Sequence, residues 1–260
     1  MPATLTETPF DLTTAVRNLI TEDDEPVDNL LSEKQQRLLV DALYESWTPP
    51  PPETDEATDA PAPAQPRPFW ASSNVGIFRS VYLPGIAPDV FISLDVTTPD
   101  IREHRSYFMW EHGKAPDAVL EIVSNRKGNE VGSKMKDYAQ MGVTYYVVYD
   151  PFSALRTELG GDALRVYEVG FGKRYRRRDD WQLPELGLAL TFRAGLFEGS
   201  AAEWLRWCDP EGRVLLTGHE RAAQAEGRAV QAEDRAVQAE DRAAKLAAKL
   251  RALGIDPEQV

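Results

Sequence analysis

The stretch "KAPDAVLEIVSNRKGNEVGSKMKDYAQMGVTYYVVYDP", Lys114–Pro151, decides the fold. "DAVLEIVS", Asp117–Ser124, reads as an apolar strand interrupted by Glu121. "VTYYVVYDP" at the far end, Val143–Pro151, reads as a second buried strand. Between them "NEVGSKMKDYAQM" has the pattern of a helix, closed by Gly142 in the position where glycine commonly ends one. Strand, helix and strand within about 30 residues predict a crossover between parallel strands. A buried carboxylate is costly unless it is paired or bound to a cation. Asp117 and Glu121, set into a strand of this kind, therefore pose the functional question.

Outward from this stretch, the upstream sequence is also strand-like. "FWASSNVGIFRSVYL" and "PDVFISLDV" lead into "REHRSYFMWEHGKAP", a charged connection with an aromatic patch. Downstream, "LRVYEVG", "RYRRRDD" and "LALTFRAG" predict antiparallel strands with turns, and "SAAEWLRWCDPEG" predicts a short helix ending in a turn. Towards the N-terminus, "SEKQQRLLVDALYESW" predicts a helix capped by Ser32, with Leu38, Leu39, Ala42, Leu43 and Trp47 on one face. The chain thus divides into an acidic N-terminal segment (1–29), a helix (30–48), a Pro/acid-rich linker (49–68), an α/β domain (69–210) and a long helix or coiled coil (219–254). The linker, "TPPPPETDEATDAPAPAQPRP", has a composition that cannot pack a core.

The tail carries a seven-residue repeat, "AEGRAVQ AEDRAVQ AEDRAAK". Ala222, Ala229, Ala236, Ala243 and Leu250 fall on one seam position, and Ala225, Ala232, Ala239, Leu246 and Leu253 on the other. Alanine favours helix but buries little area. The pattern leaves a homodimer through this helix and a solvated helical tail both open.

The 260 residues suffice for one sizeable core with appendages. No apolar run approaches the roughly 20 residues that span a bilayer, and the N-terminus has no signal-peptide pattern. Cys208 stands alone, which excludes a disulfide framework and a cysteine zinc site and suits a reducing cytoplasm. The net charge of -13 is unevenly spread: residues 1–65 hold 14 acids against 3 bases, residues 66–219 hold 20 against 19. The acidity therefore leaves room for a basic face on the α/β domain.

Asp117 and Glu121 alternate onto one strand face. A second strand placing Asp89 alongside would build an acidic cluster of oxygen ligands, suited to a hard cation such as Mg²⁺. Lys134, on the following helix, is placed to reach that cluster and to offset charge on a phosphate.

These residues also carry a resemblance. "PDVFISLDV" followed by Gly113–Pro151 resembles the Uma-two family of putative restriction endonucleases, within the PD-(D/E)XK nuclease superfamily. The shared pattern is a Pro-Asp opening one strand and a second Pro-Asp strand with a glutamate and a serine. A helix with lysine and tyrosine follows, then Gly-Val and a strand ending in Asp-Pro. The match is specific over Pro88–Pro151, looser to about Pro210, and the Ala/Arg-rich tail is similar to tails in one branch of the family. The resemblance implies a restriction-endonuclease-like mixed central β-sheet flanked by helices. It further implies Asp89 and Glu121 as ligands of Mg²⁺ or Mn²⁺, Lys134 as the catalytic lysine, and Asp117 as a ligand or support. The superfamily's usual lysine falls two residues after the glutamate, where this chain has Val123. Glu33 and Glu45 are candidates for the glutamate that the superfamily often places on its first helix.

Plainer readings stand beside these. Asp89 after a proline suits a turn cap, Lys136 competes with Lys134, and Tyr138 suits core packing. "KRYRRR", Lys173–Arg178, suits either phosphate contacts or an exposed strand of alternating charge. The scattered His104, His112 and His219 make no zinc site. The leading function is Mg²⁺-dependent hydrolysis of DNA phosphodiester bonds by a cytoplasmic protein without a membrane partner. A non-cleaving nucleic-acid or protein binding module is the alternative, and a hydrolase of other phosphates a third.

Overall fold

The structure, a computed structural model, describes residues 29–52, 66–100, 102 and 106–252. The acidic segment before Asn29, most of the Pro-rich linker, His104 and Leu253 lie outside the described residues.

Helix α1 spans Leu30–Ser46. Its cap is Asn29, whose side-chain oxygen accepts from the backbone N–H groups of Leu31 and Ser32 at 3.0 Å each. Ser32, the cap expected from sequence, already lies inside the first turn and is buried. Both residue types suit a cap; Asn29 takes the role because its oxygen meets the orphan donors of the first turn. Leu38, Leu39, Ala42 and Leu43 form the buried stripe.

A six-stranded sheet runs in the order β1 (Phe69–Ser72), β3 (Val90–Leu94), β5 (Ala118–Ile122), β6 (Tyr145–Tyr149), β7 (Leu164–Gly170) and β8 (Arg174–Arg177). β5 and β6 are parallel; every other neighbouring pair is antiparallel. The parallel pair is joined through α3 (Ser133–Met141), as the strand–helix–strand pattern predicts. Gly142 ends that helix in the left-handed conformation, φ +92°, which a side chain would strain. β2 (Ile77–Phe78) and β4 (Tyr107–Phe108) make a small parallel pair, followed by the one-turn α2 (Met109–His112).

Alternation divides the central strands between two cores. Val90, Ile92, Leu120, Ile122 and Val147 face the core that holds α1. Phe91, Val119, Tyr146, Val148 and the α3 residue Tyr138 build the other.

A second sheet, β11–β10–β9, packs on the α1 side. β9 is Gln182–Leu183, β10 Leu188–Phe197 and β11 Ser200–Cys208. The short helix expected over "SAAEWLRWC" is therefore a strand. It pairs with β10 from Phe197↔Ser200 to Ala189↔Cys208. The turn between them uses Glu198 and Gly199, both at positive φ, which matches the twist of a tight hairpin. Trp204 through Cys208 are all buried, and periodicity does not separate such an apolar run in a strand from one in a helix. Gln35 docks α1 onto this strand. Its Nε2 donates to the Leu205 carbonyl at 2.7 Å, and its Oε1 accepts from the Leu205 N–H at 3.0 Å.

Helix α4 covers Gly218–Ala252. Its root is tied down by Arg206, which donates to Glu220 at 2.6 and 2.8 Å, and by Arg221, which donates to the Glu45 carbonyl. No described residue of α4 is buried. Among the described residues no helix is long and apolar enough to cross a membrane. The architecture is the expected one: a mixed central sheet flanked by helices, with a C-terminal helix.

Leu43, at 0% exposure between α1 and the sheets, tests whether α1 is part of the core. Leu43→Ala should cost about 2–5 kcal/mol in urea unfolding, while Leu30→Ala, at 71% exposure, should stay within about 0.5 kcal/mol of the parent.

Candidate functional site

The antiparallel register of β3 and β5 pairs Val90 with Leu120 and Phe91 with Val119. One step further, the same register sets Asp89 opposite Glu121. Directly opposed residues share a sheet face, and here it is the face covered by α3. Asp89 is fixed by two donors: its Oδ2 accepts from the Ile122 N–H at 2.6 Å, and its Oδ1 accepts from Gln36 Nε2 at 2.7 Å. Gln36 comes from α1, and its amide is oriented by Asn74, which donates to Oε1 at 2.8 Å.

Glu121 is 1% exposed. Lys134 Nζ donates to its Oε2 at 2.8 Å, and the Tyr138 hydroxyl donates to its Oε1 at 2.8 Å. Lys134 and Tyr138 lie one turn apart on α3, so a single helix face supplies both. Glu130 joins from the loop before α3. It is buried, one carboxylate oxygen lies 3.8 Å from Lys134 Nζ, and its Oε2 has no hydrogen-bond partner among the described residues.

The electrostatics follow from burial and from an excess of acids. Desolvation pushes the Glu121 carboxyl up to about 8; Lys134 pulls against this and Asp89 adds to it. Desolvation likewise raises Glu130. For Lys134, burial favours the neutral amine, but Glu121, Glu130 and Asp89 together raise its pKa above the ordinary value. Lys134 therefore remains a cation at neutral pH and is unsuited to act as a base.

The structure brings Asp89, Glu121 and Lys134 together. Asp117 stands elsewhere, four residues from Glu121 along the strand, roughly 13 Å. It accepts from Lys114 Nζ at 2.9 and 2.7 Å and from the Leu94 N–H at 2.7 Å, so it fastens the other end of the β3–β5 pair. Glu33 pairs with Arg37, and Glu45 approaches Arg221 at the root of α4. The α1 residue at the acids is Gln36, which sequence reasoning missed. Its position one turn before Val40, beside the apolar stripe, was the available signal, but an amide does not announce itself as a ligand or a clamp. Glu130 was missed for a similar reason: inside the stretch read as the crossover helix it passes for an ordinary surface acid, whereas the helix begins only at Ser133.

The donor set fits a hard divalent cation. Asp89 and Glu121 offer only oxygen ligands. The cluster is short of positive charge, and one Glu130 oxygen is unsatisfied. Among the described residues no group of three or more His, Cys, Asp or Glu side chains gathers as a metal site. The set suits a cation that takes one or two carboxylates and keeps its waters, as Mg²⁺ does, and not zinc. The cavity of about 820 Å³ between α1, the β10–β11 turn and the α4 root is lined by Tyr44, Leu196 and His219 and holds none of these acids.

A carboxyl with raised folded-state pKa binds its proton more tightly in the folded protein than in the unfolded chain. Its contribution is complete below its ordinary 4.5 and is lost as pH rises through about 8. Without added metal, denaturant stability should fall across that window by on the order of a few kcal/mol. Glu121→Gln should flatten the fall.

Residues 54–193, just over half of the chain, match the family model Uma2 (Uma-two), described as putative restriction endonuclease. No curated protein and no solved structure matches. With its mixed sheet flanked by helices, the restriction-endonuclease-like fold that the resemblance implied, the chain belongs to the Uma2 putative restriction endonuclease family.

Proposed function

We propose that the chain is a Mg²⁺- or Mn²⁺-dependent endonuclease that hydrolyses phosphodiester bonds of DNA. The observation carrying this reading is the buried Glu121, set opposite Asp89 and held by Lys134. Asp89 and Glu121 would hold the cation, with Glu130 on the other side of the shared Lys134. Once bound, the cation supplies Lewis acidity and neutralises charge at the scissile phosphate. The chain's own groups do the rest. Gln36 and the Ile122 N–H hold Asp89 in its rotamer. Tyr138 orients Glu121. Lys134, kept cationic, steadies the negative charge that grows on the phosphate oxygens as water attacks phosphorus. Asp117 has no part in this set.

The exposed edge strand β8 offers a DNA-facing surface: Arg174, Arg176 and Arg177 are exposed, whereas Arg178 is engaged by Glu168 and Asp180. A non-cleaving binding module is the second reading. Both Glu121 oxygens already accept hydrogen bonds, which favours that reading if no cation displaces Lys134.

A plasmid-nicking assay with Mg²⁺ separates the two. Glu121→Ala and Lys134→Ala should each lower cleavage roughly 100-fold or more, with circular dichroism unchanged. Asp117→Asn should lower unfolding stability and leave cleavage per folded molecule intact. Undiminished nicking by Glu121→Ala would remove the assignment. DNA binding without Mg²⁺ binding would establish the module. Arg174→Ala with Arg176→Ala should weaken DNA binding for all sequences alike. The slope of log affinity against log salt should become shallower by about one for each phosphate that these arginines neutralise.

A further inference from the structure

Helix α4 runs 35 residues with none buried, and among the described residues it is held only at its root. A solvated helix that long is ordinarily supported by ion pairs three or four residues apart on its own surface. From Arg221 to Glu240 the charges do not use that spacing; in the rest of α4 only Asp241 and Lys245 do. Counting three and four residues either way from Arg228, Arg235, Glu226, Glu233 and Glu240 meets only Ala, Val and Gln. Each arginine instead stands five residues before a glutamate: Arg228 before Glu233, and Arg235 before Glu240. Five residues is the offset at which the g position of one strand meets the e position of its neighbour in a parallel two-stranded coil.

The heptad frame agrees. With the alanine seam at a and d, every g position from Arg221 to Lys249 is basic, and e is acidic at Glu226, Glu233 and Glu240. Leu246 and Leu250 add bulk at the far end of the seam. Orientation follows from the same charges. Antiparallel helices set g against g and e against e, which here means arginine against arginine and glutamate against glutamate. Parallel, unstaggered helices set every such charge against its opposite. The small seam residues alone would not choose a partner; the charges do.

We infer that α4 pairs with α4 of a second copy of this chain as a parallel, in-register two-stranded coiled coil. Both α/β domains then sit at the same end of the coil. This inference does not depend on the endonuclease reading.

Sedimentation equilibrium on the full chain tests it. The wild-type protein should approach twice 29.1 kDa at low salt and dissociate more readily at high salt. Arg228→Glu with Arg235→Glu puts acids in four facing positions of a homodimer and should weaken dimerisation at least roughly tenfold. Glu233→Arg with Glu240→Arg should do the same with bases. Mixing the two variants should restore a one-to-one dimer, which a merely unfolded tail would not do. Leu246→Cys should form an intermolecular disulfide under mild oxidation, and the outward-facing Ala248→Cys should not. A wild-type mass of 29.1 kDa throughout would overturn the inference, as would charge variants that dimerise like the parent. A doubled mass without crosslinking of Leu246→Cys would indicate the antiparallel arrangement and overturn it too.

Discussion

The register between β3 and β5 is the constraint on which the rest depends. Strand side chains alternate with a period of two, so a slip of one residue would send Glu121 into the α1-side core. There it would lie among Leu120's neighbours with neither Lys134 nor Tyr138 in reach. The register is held from both ends. Asp89 takes the Ile122 N–H at one end, and Asp117 takes the Leu94 N–H at the other. The two Pro-Asp aspartates thus act alike on the backbone, each fastening the opposite strand. They differ in what lies above them: Lys114 neutralises Asp117, while Asp89 shares its surroundings with Glu121.

This explains why a costly arrangement persists in a strand otherwise built from apolar residues. A buried carboxylate with a single ammonium partner gains little stability over an apolar pair of similar size. Here two further acids crowd the same lysine. The fold therefore holds Glu121 against its preference for water, which is the physical ground on which the proposed cation site rests.

The crossover, its glycine cap and the acids on β3 and β5 were legible because each is local or set by period. Alternation placed Glu121 on the same strand face as Asp117, and helical spacing placed Lys134 on the same helix face as Tyr138. Sequence did not separate Asp117 from the cluster, because sharing a strand face says nothing about distance along it. The β11 strand was misread because Trp204–Cys208 are buried on both sides, which erases the period of two. Gln36 and Glu130 escaped because their importance comes from tertiary neighbours: Asp89 and Asn74 for one, Lys134 for the other.

Helix α1 touches three things that are remote in sequence. Near its middle Gln36 grips Asp89, on another face Gln35 grips Leu205, and at its end Ser46 donates to the Leu216 carbonyl beside the root of α4. An α-helix is stiff over this length, so these grips sit on one lever. The rotamer of Asp89 and the root of α4 are thus both anchored to one rigid rod, by ties that bypass the central sheet.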